Sequence, residues 1–232
     1  MTITENVKNV RAALDAAAVK AGREPREILL LAATKMNDAE RVREAIEAGV
    51  DLCGENRVQE MLQKSAQGAY EGVPLHFIGH LQKNKVRQVV GLASLIHGVD
   101  SLALLEVISR ESVKRGLVQD VLLEVNVASE PSKSGFTAEE IPAALEAASS
   151  FEGIFVRGLM TIPPKCQSPD ENRPFFLAMR KLFVDNGRKK YDNVSMDFLS
   201  MGMSGDYAEA VACGANLVRV GTAIFGARNY DK

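Results

Sequence analysis

The stretch Ile28-Leu29-Leu30-Leu31-Ala32-Ala33-Thr34 is a short apolar run that opens directly into Lys35. A run of this length, apolar throughout, suits a parallel strand covered on both faces. Working outward, the same kind of run recurs along the chain. Asp51 to Gly54 (DLCG), Leu75 to Gly79 (LHFIG) and Ser94 to Val99 (SLIHGV) come next. Val121 to Val127 (VLLEVNV), Phe155 to Ile162 (FVRGLMTI), Phe198 to Met201 (FLSM) and Leu217 to Ala223 (LVRVGTA) complete a set of eight. Between them lie helical stretches such as Ala39 to Ala48, Arg57 to Ser65, Leu102 to Arg115 and Ala138 to Ser149. Pro174 suits the first turn of a helix over Phe175 to Asn186. Ahead of the first strand, Val7, Val10, Leu14 and Ala17 recur at helical spacing and predict an extra N-terminal helix.

Strands alternating with helices imply a parallel sheet. Eight such units point to an α/β fold closed as a (β/α)8 TIM barrel, with flavodoxin-like or Rossmann open sheets as the alternatives. The 232 residues suit one such barrel, and the chain ends soon after the eighth run. Residues 1–232 are therefore expected to form one barrel domain. The polar, proline-rich Pro163 to Pro174 reads as a mobile loop after the sixth strand, not a boundary.

Composition narrows the function classes. A formal net charge of −2 gives no broad basic field, so nucleic acid is a poor partner. Cys53, Cys166 and Cys213 are odd in number and far apart, which suggests neither disulfides nor a metal and suits a reducing cytoplasm. His76, His80 and His97 form no helical metal pair, and no run reaches transmembrane length.

In such barrels the chemistry sits at the C-terminal ends of the strands. Lys35 ends the first strand, where desolvation can make its amine nucleophilic toward an aldehyde. A lysine snorkelling to solvent is the plainer reading. The seventh strand runs into Gly202-Met203-Ser204-Gly205-Asp206 before a helix near Tyr207 to Ala212, and the eighth ends in Gly221-Thr222. Ser204, Gly205, Gly221 and Thr222 thus offer hydroxyls and backbone N–H groups in the two loops that recurrently bind phosphate in this fold. A helix cap and a bend are the structural alternatives. Arg219 lies inside the last strand on the same side as Gly221, opposite Val218 and Val220. A buried arginine is unusual unless paired. It faces either a ligand ring or a structural partner such as Glu124, which shares one face of strand five with Asn126. Asn56 is placed to donate into the mouth, and His80 to reach it. Glu55 and Arg57 read as fixing the loop or capping the next helix, and His76 and His97 as packing or hydrogen-bonded strand residues. Cys53 and Cys213 read as small buried residues.

Together these pieces resemble the pyridoxal 5′-phosphate (PLP) homeostasis protein family, of the YggS/PROSC type. The matching motifs are Ala33-Thr34-Lys35, Gly54-Glu55-Asn56-Arg57-Val58-Gln59-Glu60, and His76-Phe77-Ile78-Gly79-His80-Leu81-Gln82 with Asn84-Lys85. Gly158-Leu159-Met160-Thr161, Ser200-Met201-Gly202-Met203-Ser204 with Asp206, and Val218 to Gly226 follow in order. The resemblance implies a monomeric barrel similar to the N-terminal domain of alanine racemase, with PLP as a Schiff base on Lys35. It implies phosphate contacts from Ser204, Gly205, Gly221 and Thr222, Arg219 against the pyridine nitrogen, and a contact from Asn56. Thr34 departs from the more frequent serine at that position, a hydroxyl for a hydroxyl. An arginine at the ring nitrogen cannot accept its proton, which weakens the ring as an electron sink. Tyr70, Tyr191, Tyr207 and Tyr230 offer no placed catalytic tyrosine. The reading favours a cytoplasmic carrier or regulator in vitamin B6 homeostasis that buffers PLP or delivers it, with PLP-dependent apoenzymes as candidate recipients. The rivals are an amino-acid racemase of narrow scope and a sugar-phosphate Schiff-base barrel enzyme without PLP.

Overall fold

A computed structural model describes residues 1–226. The elements alternate as the runs predict. Helix α1 (Ile3–Lys20) precedes strand β1 (Leu29–Ala33), followed by α2 (Ala39–Glu47), β2 (Leu52–Glu55), α3 (Val58–Ala66), β3 (Leu75–Phe77), α4 (Val86–Val89) and β4 (Leu95–Val99). The second half continues with α5 (Leu102–Lys114), β5 (Gln119–Glu124), α6 (Ile141–Ala148), β6 (Ile154–Met160), α7 (Arg173–Asn186), β7 (Val194–Ser200), α8 (Tyr207–Ala212), β8 (Leu217–Val220) and α9 (Thr222–Phe225). The eight strands close into one barrel in sequence order, β8 pairing parallel to β1. The barrel replaces the open-sheet alternatives.

Period-two alternation sorts each strand into an inner and an outer face. Leu30, Ala32, Val218 and Val220 face the main core, which lies between the sheet and its helices. Leu31, Leu52 and Leu217 instead meet inside the barrel with Leu29, Ile78 and Phe198. Leu95, Leu122 and Met160 form a second interior cluster, also against Phe198. These apolar layers plug the barrel below a polar upper layer that contains Arg219.

Helix α1 starts with a capping box between Thr2 and Glu5 and buries Ile3, Val7, Val10, Leu14 and Ala18. Ala18 takes the buried position that spacing gave to Ala17, which is half-buried. The Asn6 amide donates to Ile224 O at 2.8 Å, so this helix also braces α9.

Several boundaries differ from the sequence reading for local reasons. Gly221, at φ −115° and ψ −78°, leaves β geometry. The last strand therefore ends at Val220, and Thr222 to Ala223 start a helix. Helix α6 begins at Ile141, because Thr137 and Glu140 exchange hydrogen bonds and hold a turn ahead of it. Strand β7 begins at Val194, its outset masked in sequence by polar Ser195 and Asp197. The Pro163 to Pro174 stretch contains a short 3-10 turn, Pro169–Asn172, and Pro174 lies in the first turn of α7. Among the described residues, no helix is long and apolar enough to cross a membrane.

Leu14 is fully buried between α1 and the rest of the fold. Leu14→Ala should lower the unfolding free energy by about 2–5 kcal/mol, through lost burial and the cavity left behind. Urea denaturation checks this as a lower midpoint with an unchanged slope.

Candidate functional site

Lys35 follows β1 in a tight turn, half-buried at the C-terminal mouth of the barrel. Its two neighbours are pinned. Thr34 is fully buried, and its hydroxyl donates to Glu55 Oε1 at 2.6 Å and contacts Gly54 O at 3.1 Å. Met36 sits in the left-handed region at φ +60°, unusual for a side chain of its size, and its N–H donates to Glu60 Oε2 at 2.7 Å. Lys64, itself buried, ties both braces together. Its Nζ reaches Thr34 O at 2.8 Å, Glu55 Oε1 at 2.6 Å and Glu60 Oε2 at 3.2 Å.

Glu55 is therefore the hub of a buried cluster. Its Oε1 also accepts the Tyr70 hydroxyl at 3.0 Å, while its buried Oε2 has no partner. Burial, reinforced by the Glu55 charge, drives the Tyr70 phenol well above its ordinary range. Glu55 fixes the loop, as one sequence reading held, and does not cap α3. Arg57 does not cap it through its side chain either; it is the N-cap residue but extends outward to Glu60 at 3.8 Å. Lys64 and Tyr70 were not singled out from the sequence as parts of this cluster. The Glu60–Lys64 spacing of four on α3 was the available signal.

A cavity of about 370 Å³ opens at the mouth, lined by Lys35, Asn56, Arg219, Glu124, His80 and Met203 among others. Lys35, Asn56 and Arg219 thus come together from β1, the end of β2 and β8. Asn56 Oδ1 is buried without a hydrogen-bond partner. Gly79 also lines the cavity, and a Cβ there would stand 2.2 Å from Asn56 O. Close backbone crossing explains the glycine in the His76–Gln82 motif. His80 Nδ1 lies 3.0 Å from Asp100 Oδ2 at the rim.

Ser204, Gly205, Gly221 and Thr222 do not line this cavity. They form the adjoining rim, which Met203 joins to it. Ser204 Oγ accepts the N–H groups of Gly221 at 3.1 Å and Ala223 at 3.3 Å, so the two loops meet on one hydroxyl. Asp206 braces the turn: its carboxylate accepts Met203 N at 2.7 Å and the Asn172 amide at 2.8 Å. A Cβ on Gly205 would enter open space.

Arg219 is only 4% exposed. Its NH1 donates to Ser200 Oγ at 2.6 Å and its NH2 to Thr161 O at 2.8 Å. No carboxylate among the described residues lies in ion-pair range, so the Glu124 partnership is electrostatic and not a contact. Burial lowers the guanidinium to about 10, against the favourable charges of Glu124 and Asp206. Interior hydrogen bonds continue beyond Ser200, whose Oγ lies 3.1 Å from His97 Nδ1, while His97 Nε2 lies 2.9 Å from His76 Nδ1. Burial holds His76 down to about 4 and His97 well below the usual histidine range. Cys53 is buried and pushed up to about 12, mainly by burial, which makes it a poor nucleophile. Cys213 is buried as expected. No tyrosine among the described residues lines the cavity; Tyr230 lies outside the described residues. No group of His, Cys, Asp or Glu among the described residues is arranged to hold a metal.

A (β/α)8 barrel with a lysine at its mouth, a buried arginine beneath it and hydroxyl-bearing loops after β7 and β8 defines a narrow class. The family model for the alanine racemase N-terminal domain matches residues 2–229. The chain belongs to that family and, within it, to the pyridoxal phosphate homeostasis proteins. The protein of that description from Aquifex aeolicus is 40% identical over 230 residues, covering 99% of this chain and all of the relative. Its counterpart in Pseudomonas aeruginosa is 40% identical over 229 residues, covering 99% of this chain and 97% of the relative. Among solved structures, PipY of Synechococcus elongatus PCC7942 with PLP bound superposes with a TM-score of 0.83 at 32% identity, covering 97% of this chain and all of PipY.

Glu124 faces the cavity, and burial raises its carboxyl from 4.5 to about 7. Asp100 adds to the rise, and Arg219 and Lys133 oppose it. A raised carboxyl stabilises the fold below the unfolded value, and that contribution is lost as pH rises through the folded one. The stability of wild type minus that of Glu124→Gln should therefore fall between pH 4.5 and 7, by on the order of 2–3 kcal/mol. His76 and His97 have the opposite slope but cancel in the difference. Denaturation curves across this range check the sign; a flat difference contradicts it.

Proposed function

We propose that this chain holds PLP at Lys35 and serves intracellular PLP homeostasis as a carrier or regulator without robust turnover. The observation that carries the reading is that Lys35, Asn56 and Arg219 line one cavity, with Ser204 and Gly221 joined at its rim. In this reading residues 1–232 act as one monomeric, cytoplasmic PLP-binding barrel domain.

The residues fit the cofactor. The buried, unpartnered Asn56 Oδ1 marks a polar atom that the protein itself does not satisfy. Arg219 uses two of its N–H donors on Ser200 and Thr161 and keeps others for the cavity it lines. The Ser204 and Thr222 hydroxyls and the N–H groups of Gly205 and Thr222 are the donor set that suits a phosphate, while the Gly221 N–H, donated to Ser204 Oγ, holds that hydroxyl in place. PLP, when bound, supplies a reactive aldehyde and an electron-sink ring. Lys35 would hold that aldehyde covalently. Ser204, Gly205, Gly221 and Thr222 would take the phosphate, and Asn56 would orient the ring.

Arg219 bears on the chemistry the ring can do. A guanidinium donates and does not accept, so it favours an unprotonated ring nitrogen and limits carbanion stabilisation. The absence of a cavity-lining tyrosine among the described residues points the same way. PipY was solved with PLP bound, and the curated relatives bear the homeostasis name; both support the reading. PLP-dependent apoenzymes are the natural recipients.

Wild type titrated with PLP should develop a visible absorbance band and keep the cofactor through gel filtration. Lys35→Ala should lose both, and Ser204→Ala should bind about tenfold more weakly. PLP-loaded protein should leave the stereochemistry of free amino acids unchanged on chiral analysis. Turnover at enzymatic rates would favour the racemase, and a wild type that stays colourless would favour the sugar-phosphate barrel.

A further inference from the structure

Four buried side chains stand in line across the polar upper layer of the barrel. They are His76 on β3, His97 on β4, Ser200 on β7 and Arg219 on β8, at 5%, 0%, 0% and 4% exposure. With so little solvent access, the protons between these four groups must find partners within the line, and only His76, at its 5% exposed end, has a ring nitrogen left over.

The donor order follows from one fixed end. Arg219 has five N–H donors and no acceptor, so its NH1 donates to Ser200 Oγ at 2.6 Å. The other side-chain hydrogen-bond partner of Ser200 Oγ among the described residues is His97 Nδ1, at 3.1 Å. The single Ser200 hydroxyl proton is satisfied there, and no other acceptor for it stands among the described residues. His97 Nδ1 must then be an acceptor. A neutral imidazole that accepts at Nδ1 carries its proton on Nε2. That proton is donated to His76 Nδ1, 2.9 Å away. His76, accepting at Nδ1, holds its own proton on Nε2.

We propose that Ser200, His97 and His76 form a neutral, proton-ordered relay that positions Arg219 against the cavity and leaves its charge uncompensated by any contact carboxylate. They are positioning residues, acting on a ligand only through the guanidinium. Burial keeps both imidazoles in the neutral form that the order requires. The two anchors, Ser200 Oγ on NH1 and Thr161 O on NH2, fix the plane of the guanidinium. A carboxylate in place of Ser200 would anchor it equally well but would neutralise it. A neutral hydroxyl, oriented from behind by His97, holds the arginine and leaves the remaining donors fully electropositive. Loss of the relay leaves the guanidinium on the Thr161 O anchor, about which it can pivot, with no charged partner in contact among the described residues.

The consequence for ligand binding rests on the reading of Arg219 as the ring-nitrogen donor; the proton order does not. Two measurements on the full-length protein separate them. The first uses ligand-free protein labelled with nitrogen-15 at histidine, whose ring-nitrogen shifts report tautomers directly. At pH 7 both His76 and His97 should appear as neutral Nε2–H tautomers, and Ser200→Ala should perturb His97. A neutral His97 protonated at Nδ1, or a charged His97, overturns the relay. The second compares PLP binding by Ser200→Ala, Ser200→Thr and wild type, with melting curves recorded alongside. Ser200→Ala should weaken PLP binding about tenfold and shift the bound absorbance band, and Ser200→Thr should restore both. Lower stability with unchanged affinity and band would reduce the line to packing and overturn the positioning role. If wild type itself binds no PLP, the functional reading fails and the tautomer spectrum still decides the proton order.

Discussion

The pairing of the last strand with the first is the constraint on which the site depends. Leu31 of β1 lies opposite Arg219 of β8, and Ala32 opposite Val220. That closure sets the first strand, which delivers Lys35, beside the last strand, which delivers Arg219, Gly221 and Thr222. An open sheet of the same strands would leave these groups at opposite edges. Closure also forces alternate residues inward, so a polar residue at an inner position either meets another across the barrel or is stranded. Arg219, Ser200, His97 and His76 meet; the apolar clusters around Leu31 and Leu95 fill the space below them.

The mouth has two separately braced sides. On one, Lys64, Glu55 and Glu60 grip the residues flanking Lys35, including a methionine in a left-handed turn. Removing Lys64 would take the contacting cation from the buried Glu55 carboxylate and leave it to the Thr34 and Tyr70 hydroxyls alone. On the other, Asp206 holds the turn at Met203, and Ser204 gathers the N–H groups at the end of β8. Helix α1 reaches the same region through Asn6.

Most of the fold was legible because its signal is local. Apolar runs at β1, β5 and β8 and the stripe of α1 needed no tertiary knowledge. The failures were also local in cause. Gly221 departs from β geometry within an apolar run, and polar Ser195 and Asp197 hide the start of β7. Lys35, Asn56 and Arg219 were legible because strand ends and strand parity place them. The roles of Glu124, Lys64 and the histidine line were not, because each depends on partners brought close only by closure. His76 and His97, read as hydrogen-bonded strand residues, are that; spacing gave no hint that Ser200 and Arg219 complete the line.

The Lys35 amine is the proposed point of attachment of PLP. Borohydride reduction of the PLP-loaded protein, followed by peptide mapping, tests it most directly. A stable pyridoxyl group on the peptide carrying Lys35 is the predicted result. A group found only on other lysines, or none after reduction, would contradict it.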